Sequence, residues 1–172
     1  MNHDSYPDEY IRGVLNDHKT FALVGASANT VRPSFFVLKY LLDKGYTVYP
    51  VNPGMAGQEI LGQTVYASLA DIPEPVDVVD IFRNSEAALE ITRGAIAIGA
   101  KAVWMQLSVR NDEAAKLAED AGLKVVMNRC PKIEYARLSG EIGWAGINSR
   151  TISSARPTLA QKGIQHRVLR SE

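Results

Sequence analysis

The sequence predicts an α/β domain with a mostly parallel sheet of about five strands. Two observations lead to this prediction. Short apolar segments rich in strand-forming residues alternate along the chain with segments of helical spacing, and several of the helical segments end at a glycine. Such alternation is typical of parallel strands joined by right-handed crossovers. A length of 172 residues, with 46% hydrophobic and 22% charged residues, fits a single globular domain.

The first predicted strand leads into a loop that could bind phosphate. Residues 21–24 form an uninterrupted apolar run, as expected of a strand buried on both faces. Gly25 permits a sharp turn, and Pro33 favours the first turn of a helix that continues to Leu42. The N-terminus of this helix, together with Arg32, would favour an anion. Because the spaced glycines of the strict dinucleotide motif are absent, a turn that binds nothing remains open.

The later elements continue the alternation. Residues 7–15 predict an amphipathic lead-in helix, and residues 55–68 predict a connecting loop. From Ser139 onward the periodicity is lost, which predicts surface structure or partial disorder. We therefore divide the chain into a lead-in segment (1–16), a ligand-binding domain (17–138) and a C-terminal extension (139–172). The remaining strands are predicted at 46–51, 76–82, 101–106 and 123–127. The remaining helices are predicted at 85–98, at 111–121 and through 134–138.

Composition argues against several functional classes. Nineteen basic residues balance nineteen acidic ones, unlike most proteins that bind nucleic acid or anionic membranes. The basic segment 165–170 could contact RNA, but short charged termini are usually solvated. There is no apolar run of membrane-spanning length, and the start does not resemble a signal peptide, so we expect a cytoplasmic protein. A single cysteine excludes an internal disulfide, and no metal site is predicted. Monomer and homodimer both remain open.

Polar and aromatic residues follow the predicted strands at the point where each strand ends. In a parallel sheet these ends share one edge, here called the rim, where ligands bind near the point at which strand order reverses. The rim residues are Gly25, Ala26 and Ser27 after the first strand, Asn52 and Pro53 after the second, Phe82 and Arg83 after the third, Met105 and Gln106 after the fourth, and Arg129 and Cys130 after the fifth.

The residue after the second strand bears on which nucleotide could bind. NAD enzymes usually carry a carboxylate there for the ribose hydroxyls, but this chain has Asn52. NAD is therefore disfavoured, whereas an NADP-type or other adenine-nucleotide ligand remains open. Arg32 and Arg83 could bind several phosphates through bidentate hydrogen bonds, although either could be an ordinary surface residue.

The sequence offers few catalytic residues. His3, His18 and His166 lie far from the predicted rim, so a histidine acid–base centre is not expected. Asp77 and Asp80 would face opposite sides of one strand, where packing or hydrogen bonding at the strand end is their expected use. No catalytic residue is predicted, and the sequence favours a protein that is not an enzyme.

Cys130 is a separate candidate. It precedes Pro131 at the predicted start of the last helix, where the helix dipole could stabilise a thiolate. A buried core cysteine is the alternative.

Taken in order, the rim motifs resemble the small stand-alone CoA-binding proteins of bacteria, which are similar to the CoA-binding amino-terminal domain of the succinyl-CoA synthetase alpha subunit. The resemblance covers about residues 17–138 and implies a Rossmann-like three-layer α/β/α fold that holds CoA or acyl-CoA. The motifs are Val24-Gly25-Ala26-Ser27, Arg32-Pro33-Ser34, Gly45-Tyr46, Val51-Asn52-Pro53, Asp80-Ile81-Phe82-Arg83, Trp104-Met105-Gln106 and Asn128-Arg129-Cys130-Pro131.

The resemblance also implies roles for individual residues. It assigns Gly25, Ala26, Ser27 and Arg32 to the phosphates, Val51, Asn52 and Pro53 to the nucleotide side, and Phe82, Arg83, Trp104, Met105 and Gln106 to the rest of the cofactor.

Two departures limit what the resemblance implies. The synthetase domain that carries the phosphorylated histidine has no counterpart in this sequence, so ligase activity is not implied. Leu107 stands where many relatives have a glycine, which would narrow the approach of a ligand.

The leading prediction is therefore a non-catalytic CoA or acyl-CoA binding protein that acts as a carrier, sensor or regulatory module. An enzyme that uses NADP or another nucleotide through the same loop is the first alternative, and a scaffold that dimerises through its helices is the second. We also predict that Cys130 could contact the CoA thiol and form a mixed disulfide with it.

Overall fold

The structure is a computed structural model that describes residues 1–141, 158–159 and 167–168. Strands alternate with helices as predicted. The helices are α1 (Asp8–Asp17), α2 (Pro33–Asp43), α3 (Ala88–Ala97), α4 (Asp112–Asp120) and α5 (Pro131–Ser139). The strands are β1 (Thr20–Val24), β2 (Thr47–Val51), β3 (Glu59–Ile60), β4 (Gln63–Thr64), β5 (Val78–Ile81), β6 (Ala102–Met105), β7 (Lys124–Val126), β8 (Thr158–Leu159) and β9 (Arg167–Val168).

Five strands form one parallel sheet in the order β2-β1-β5-β6-β7. Helices α1, α2 and α5 cover one face of this sheet, and α3 and α4 cover the other. This arrangement confirms the predicted Rossmann-like fold with three layers. The chain leaves β1 for β2 at one side of the sheet and continues through β5 to the other side, so strand order reverses between β1 and β5. A crevice is expected at the carboxyl ends of these two strands.

Residues along each central strand alternate between the two cores. In β1, Phe21 and Leu23 pack with α1, α2 and α5, whereas Ala22 faces α3 and α4. None of these three side chains has any exposed surface. A strand that is buried on both faces needs apolar residues at every position, which explains the uninterrupted apolar run in the sequence.

The predicted boundaries are correct for most elements, with two differences. The 55–68 segment, predicted as a loop, contains the short antiparallel pair β3 and β4. Helix α3 begins at Ala88 rather than at Ser85. Asn84 accepts a hydrogen bond from the Ala87 N–H at 3.0 Å, so the turn before α3 is held by the asparagine and Ser85 does not cap the helix. Helix α4 is capped by Asn111, whose side-chain oxygen accepts from the Ala114 N–H at 2.8 Å.

The C-terminal extension begins at a well-anchored point. Helix α5 ends at Gly140, which has a left-handed conformation, and Glu141 is buried. The Glu141 carboxylate forms an ion pair with Lys44 and accepts from the Tyr40 hydroxyl at 2.7 Å. Strands β8 and β9 pair with each other. The rest of the predicted extension, including most of the basic segment 165–170, lies outside the described residues.

The described part of the chain contains neither a membrane-spanning helix nor a metal site. No helix there is long and apolar enough to cross a membrane. No group of three or more His, Cys, Asp and Glu residues there could hold a metal ion.

The end of β1 is packed unusually closely against the end of β5. Gly25 has φ of +96°, and a Cβ atom at this position would lie 2.6 Å from the Phe82 carbonyl oxygen. The Phe82 N–H donates to the Val24 carbonyl at 2.8 Å, so the two backbones are tied together at this point. Only glycine satisfies both the backbone conformation and the available space.

We predict that Gly25→Ala is much more destabilising than Gly62→Ala. Gly62 also has a positive φ, of +75°, but a Cβ there would meet no atom within 4 Å. Gly62→Ala therefore costs about 1–2 kcal/mol of backbone strain. Gly25→Ala adds a clash with backbone, worth about 1–3 kcal/mol more. Urea unfolding of both variants measures the difference, and equal losses of stability would show that the close approach is unimportant.

Candidate functional site

A cavity of about 640 Å³ opens at the carboxyl ends of β1 and β2. The strand ends contribute Val24, Gly25 and Val51, and the following loops contribute Asn52, Pro53 and Arg83. Because β1 and the loop after β5 both line it, the cavity lies beside the point where strand order reverses between β1 and β5, as expected for a ligand site in an open parallel sheet. It brings together five of the predicted site residues: Gly25, Val51, Asn52, Pro53 and Arg83.

One wall of this cavity was missed by the sequence analysis. It consists of the turn at residues 67–70 and the face of α3 that carries Ile91, Gly94 and Ile98. A Cβ atom on Gly94 would lie 3.2 Å from a methyl group of Leu69, so the turn and the helix pack closely behind the cavity. The spacing of 91, 94 and 98 is that of one helical face. The sequence signal that could have indicated this wall is the row of small residues Ala87, Gly94 and Ala97. The position of the turn could not be predicted in this way, because it depends on tertiary packing.

Asn52 links the two loops that frame the cavity. Its amide nitrogen donates to the Ala26 carbonyl at 2.8 Å, and its amide oxygen accepts from the Gly54 N–H at 2.9 Å. Aspartate could not donate the first of these hydrogen bonds. Asn52, at the position where NAD enzymes carry an acid, therefore has a structural role, because its side chain holds the glycine loop against the turn after β2.

The loop between β1 and α2 is held by short local hydrogen bonds. The N–H groups of Gly25 and Ala26 both point at the Val51 carbonyl, at 2.9 and 3.3 Å, so they are occupied by the protein itself. The Ser27 hydroxyl accepts from the Asn29 N–H at 3.2 Å. No side chain caps the N-terminus of α2. The positive end of that helix therefore stays open at the rim.

Arg32 and Arg83 are both exposed. Arg32 is the residue just before α2, and the Arg83 side chain reaches within 3.1 Å of the position that a Cβ on Gly25 would occupy. Neither guanidinium group forms an ion pair within the described part of the chain. Two unpaired positive charges beside an open helix N-terminus make this part of the rim attractive to anions.

The other predicted site residues do not line the cavity. Trp104 and Met105 have no exposed surface, and Ala26 is 1% exposed. The Trp104 indole N–H is occupied by the Arg129 carbonyl at 2.9 Å. Ser27 and Phe82 are half-buried, while Leu107, predicted to narrow the approach of a ligand, is exposed. The sequence placed these residues at strand ends correctly, but the direction of each side chain depends on strand twist and packing.

A buried polar group lies on the opposite face of the sheet, under α5. Asp80 has no exposed surface, and both of its carboxylate oxygens accept from the Gln106 amide nitrogen, at 2.9 and 3.1 Å. Burial raises the pKa of Asp80 to about 8. By contrast, Asp77 at the start of β5 accepts from Thr20 and from two backbone N–H groups. Asp77 therefore has the strand-end role that the sequence predicted.

Cys130 is next to this polar group, at the N-cap position of α5. Burial raises the pKa of its thiol, although the backbone N–H groups of Lys132 and Ile133 act in the opposite direction. The sequence left open a thiolate stabilised by the helix or a buried core cysteine. The structure shows the buried cysteine, and because desolvation is the larger effect, the thiol keeps its proton at neutral pH.

Comparisons with known proteins agree with this geometry. The sequence profile of the CoA binding domain family matches residues 19–136. The uncharacterized protein YneT of Bacillus subtilis is 34% identical over 126 residues, which are 73% of this chain and 92% of that protein. The solved structure of a hypothetical protein from Pyrococcus horikoshii has a TM-score of 0.76 and 46% identity, covering 80% of this chain and 96% of that one.

A third relative is much longer. ADP-forming acetate–CoA ligase II of Archaeoglobus fulgidus is 31% identical over 103 residues, which are 59% of this chain and 15% of the ligase. The shared region is therefore one part of that enzyme. Since the family profile spans all five strands of the parallel sheet and the residues around the cavity, this chain belongs to the CoA-binding domain family.

Proposed function

We propose that the protein binds CoA or an acyl-CoA and does not itself catalyse a reaction. The nucleotide would occupy the cavity at the ends of β1 and β2, and its phosphates would lie over Gly25 between Arg32 and Arg83. The observation that carries this proposal is the position of the cavity, which lies beside the reversal of strand order between β1 and β5 in a chain of the CoA-binding domain family. A carrier, sensor or regulatory role follows from binding without chemistry.

The groups around the cavity support a binding role, because among the described residues its one carboxylate, Glu90, is exposed and paired with Arg93 at 3.1 Å. His3 lies within hydrogen-bonding distance of the Tyr6 hydroxyl, at 2.9 Å, and His18 stands at the amino end of β1, away from the rim. Neither lines the cavity. The ligase activity of the longer relative belongs to a protein that shares only 15% of its length with this chain, so we do not extend that activity here. A CoA ligand would also be consistent with a cytoplasmic protein.

The first prediction concerns ligand specificity. CoA and acetyl-CoA should raise the melting temperature, and NAD should not. A ligand at about a hundred times its Kd adds about 2.7 kcal/mol, which corresponds to about 5–10 °C for a domain of this size. Differential scanning fluorimetry with CoA, acetyl-CoA, dephospho-CoA, NAD and NADP measures this, after mass spectrometry has excluded a co-purified ligand. Stabilisation by NADP alone would instead support the nucleotide-dependent enzyme.

The second prediction concerns the phosphates. Arg32→Ala and Arg83→Ala should each weaken CoA binding by about tenfold to a hundredfold, because a hydrogen bond between charged groups contributes about 1.5–3 kcal/mol. Lys116→Ala is the matched control. Lys116 is an exposed residue of α4 without an ion pair among the described residues, so this change removes the same charge away from the rim. Equal effects of all three substitutions in calorimetric titrations would mean that net charge, not the site, governs binding.

The third prediction concerns Cys130. We propose that its thiolate can attack the disulfide of oxidised CoA, which forms a Cys130–CoA mixed disulfide and releases one CoA thiolate, while the cysteine proton goes to solvent. Because the thiol is buried with a raised pKa, the reaction should be slow and should accelerate as the pH increases. Intact mass spectrometry should show one added CoA that a reductant removes. Cys130→Ser is the control, and an unmodified wild-type protein at high pH would contradict the proposal.

A further inference from the structure

Asp80 and Gln106 form a buried pair directly below the rim. Asp80 lies on β5 and Gln106 directly follows the neighbouring strand β6, and both side chains project to the face covered by α2 and α5. The Gln106 amide nitrogen is shared between the two Asp80 oxygens, at 2.9 and 3.1 Å. Asp80 is completely buried, and Gln106 is 5% exposed. Within the described part of the chain, Gln106 is the sole hydrogen-bond partner of this carboxyl group.

The opposite end of the same amide has no partner among the described residues. Among the described residues, two buried side-chain polar atoms have no hydrogen-bond partner, namely His18 Nε2 and Thr92 Oγ1. Gln106 Oε1 has no hydrogen bond and is not one of these buried atoms, so solvent reaches it. Asp80 thus occupies the donor end of the amide, and the acceptor end is open at the carboxyl edge of the sheet.

We propose that Asp80 is a positioning residue that turns the Gln106 amide so that Oε1 accepts a hydrogen bond from the pantetheine arm of the ligand, and that ligand binding is coupled to loss of the Asp80 proton. This inference rests on the proposed function. The pantetheine arm carries amide N–H groups, and an acceptor at the rim is the group that complements them. The arm must leave the nucleotide cavity along the rim, because Gln106 and the cavity lie on opposite faces of the sheet.

The coupling follows from the two protonation states of Asp80. An ionised carboxylate can only accept, so it requires the amide nitrogen and leaves Oε1 facing the rim, as in the structure. A protonated carboxyl can donate to Oε1, which turns the acceptor inward. Burial favours the protonated state, with a pKa of about 8. A ligand that needs Oε1 selects the ionised state, and its affinity therefore rises with pH until Asp80 is fully ionised.

Few other ionisable groups act at this position. The flanking positions on β1 and β6 are Leu23 and Trp104, which do not titrate here. From the helices on this face, the Cys130 thiol at the start of α5 is the titratable group that senses the Asp80 charge, and Lys132 acts on Cys130 in turn. A Cys130→Ser background therefore removes the neighbouring titration.

The experiment is isothermal titration calorimetry with acetyl-CoA between pH 7 and pH 9, in Cys130→Ser and in Cys130→Ser with Asp80→Asn. Acetyl-CoA is chosen because it keeps the amide N–H groups and has no titrating thiol. In the Asp80 protein we expect the affinity to rise several-fold from pH 7 to about pH 8.5, by at most tenfold per pH unit, and then to level off. In the Asp80→Asn protein the affinity should stay near the low-pH value at every pH.

Buffers with different ionisation enthalpies give a second readout. At pH 7 the Asp80 protein should release up to one more proton per ligand than the Asp80→Asn protein. Any proton release from the phosphate groups of the ligand is the same for both proteins and cancels in this difference. If Asp80→Asn does not fold, Gln106→Met takes its place and should show the same flat profile.

The outcomes separate this inference from the proposed function. Tight binding with identical pH profiles and equal proton release in both proteins would overturn the role of Asp80 and leave CoA binding intact. Failure of acetyl-CoA to bind at any pH would overturn the proposed function itself, and this inference with it.

Discussion

The close approach of the β1 and β5 backbones at Gly25 is the constraint on which the site depends. The Gly25 N–H is bound to the carbonyl at the end of β2, at 2.9 Å, while the preceding carbonyl of Val24 accepts from the residue after β5. The loop that follows is therefore held by both neighbouring strands. Any side chain at Gly25 would separate these strands and close the crevice between them. The cavity, the open end of α2 and both arginines take their positions from this one contact.

The sheet separates two environments that a ligand on the rim would meet in turn. On one face, the cavity is lined mostly by apolar and small side chains of α3 and the turn before β5. On the other face, Asp80, Gln106 and Cys130 form a polar group that is covered by α5 and reaches the rim through the Gln106 amide oxygen. A buried carboxyl with a single amide partner costs stability when ionised. Such a group is consistent with a functional rather than a purely structural role, because apolar residues would pack there at lower cost.

Basic residues beside the glycine loop differ from those elsewhere in the fold in whether they form ion pairs. Lys44 is buried in an ion pair with Glu141, and Arg137 contacts both Glu134 and Asp8. Arg32 and Arg83, beside the glycine loop, have no such partners among the described residues. Basic groups that stabilise the fold are thus neutralised by the protein, whereas those beside the glycine loop remain available to an anionic ligand.

The sequence by itself determined the fold class, the five strands and most helix boundaries, because burial on both faces requires continuous apolar segments and Gly, Pro and Asn mark the ends of helices. It also placed the rim residues at the carboxyl edge of the sheet, where the structure has them. Only the tertiary structure decided which of them meet. Strand order put β5 beside β1, helix packing added Ile91 and Gly94 to the cavity, and the alternation of side chains turned Trp104 and Gln106 to the opposite face. Neither strand order nor the position of a distant helix is encoded in local spacing, since both depend on how non-local elements pack.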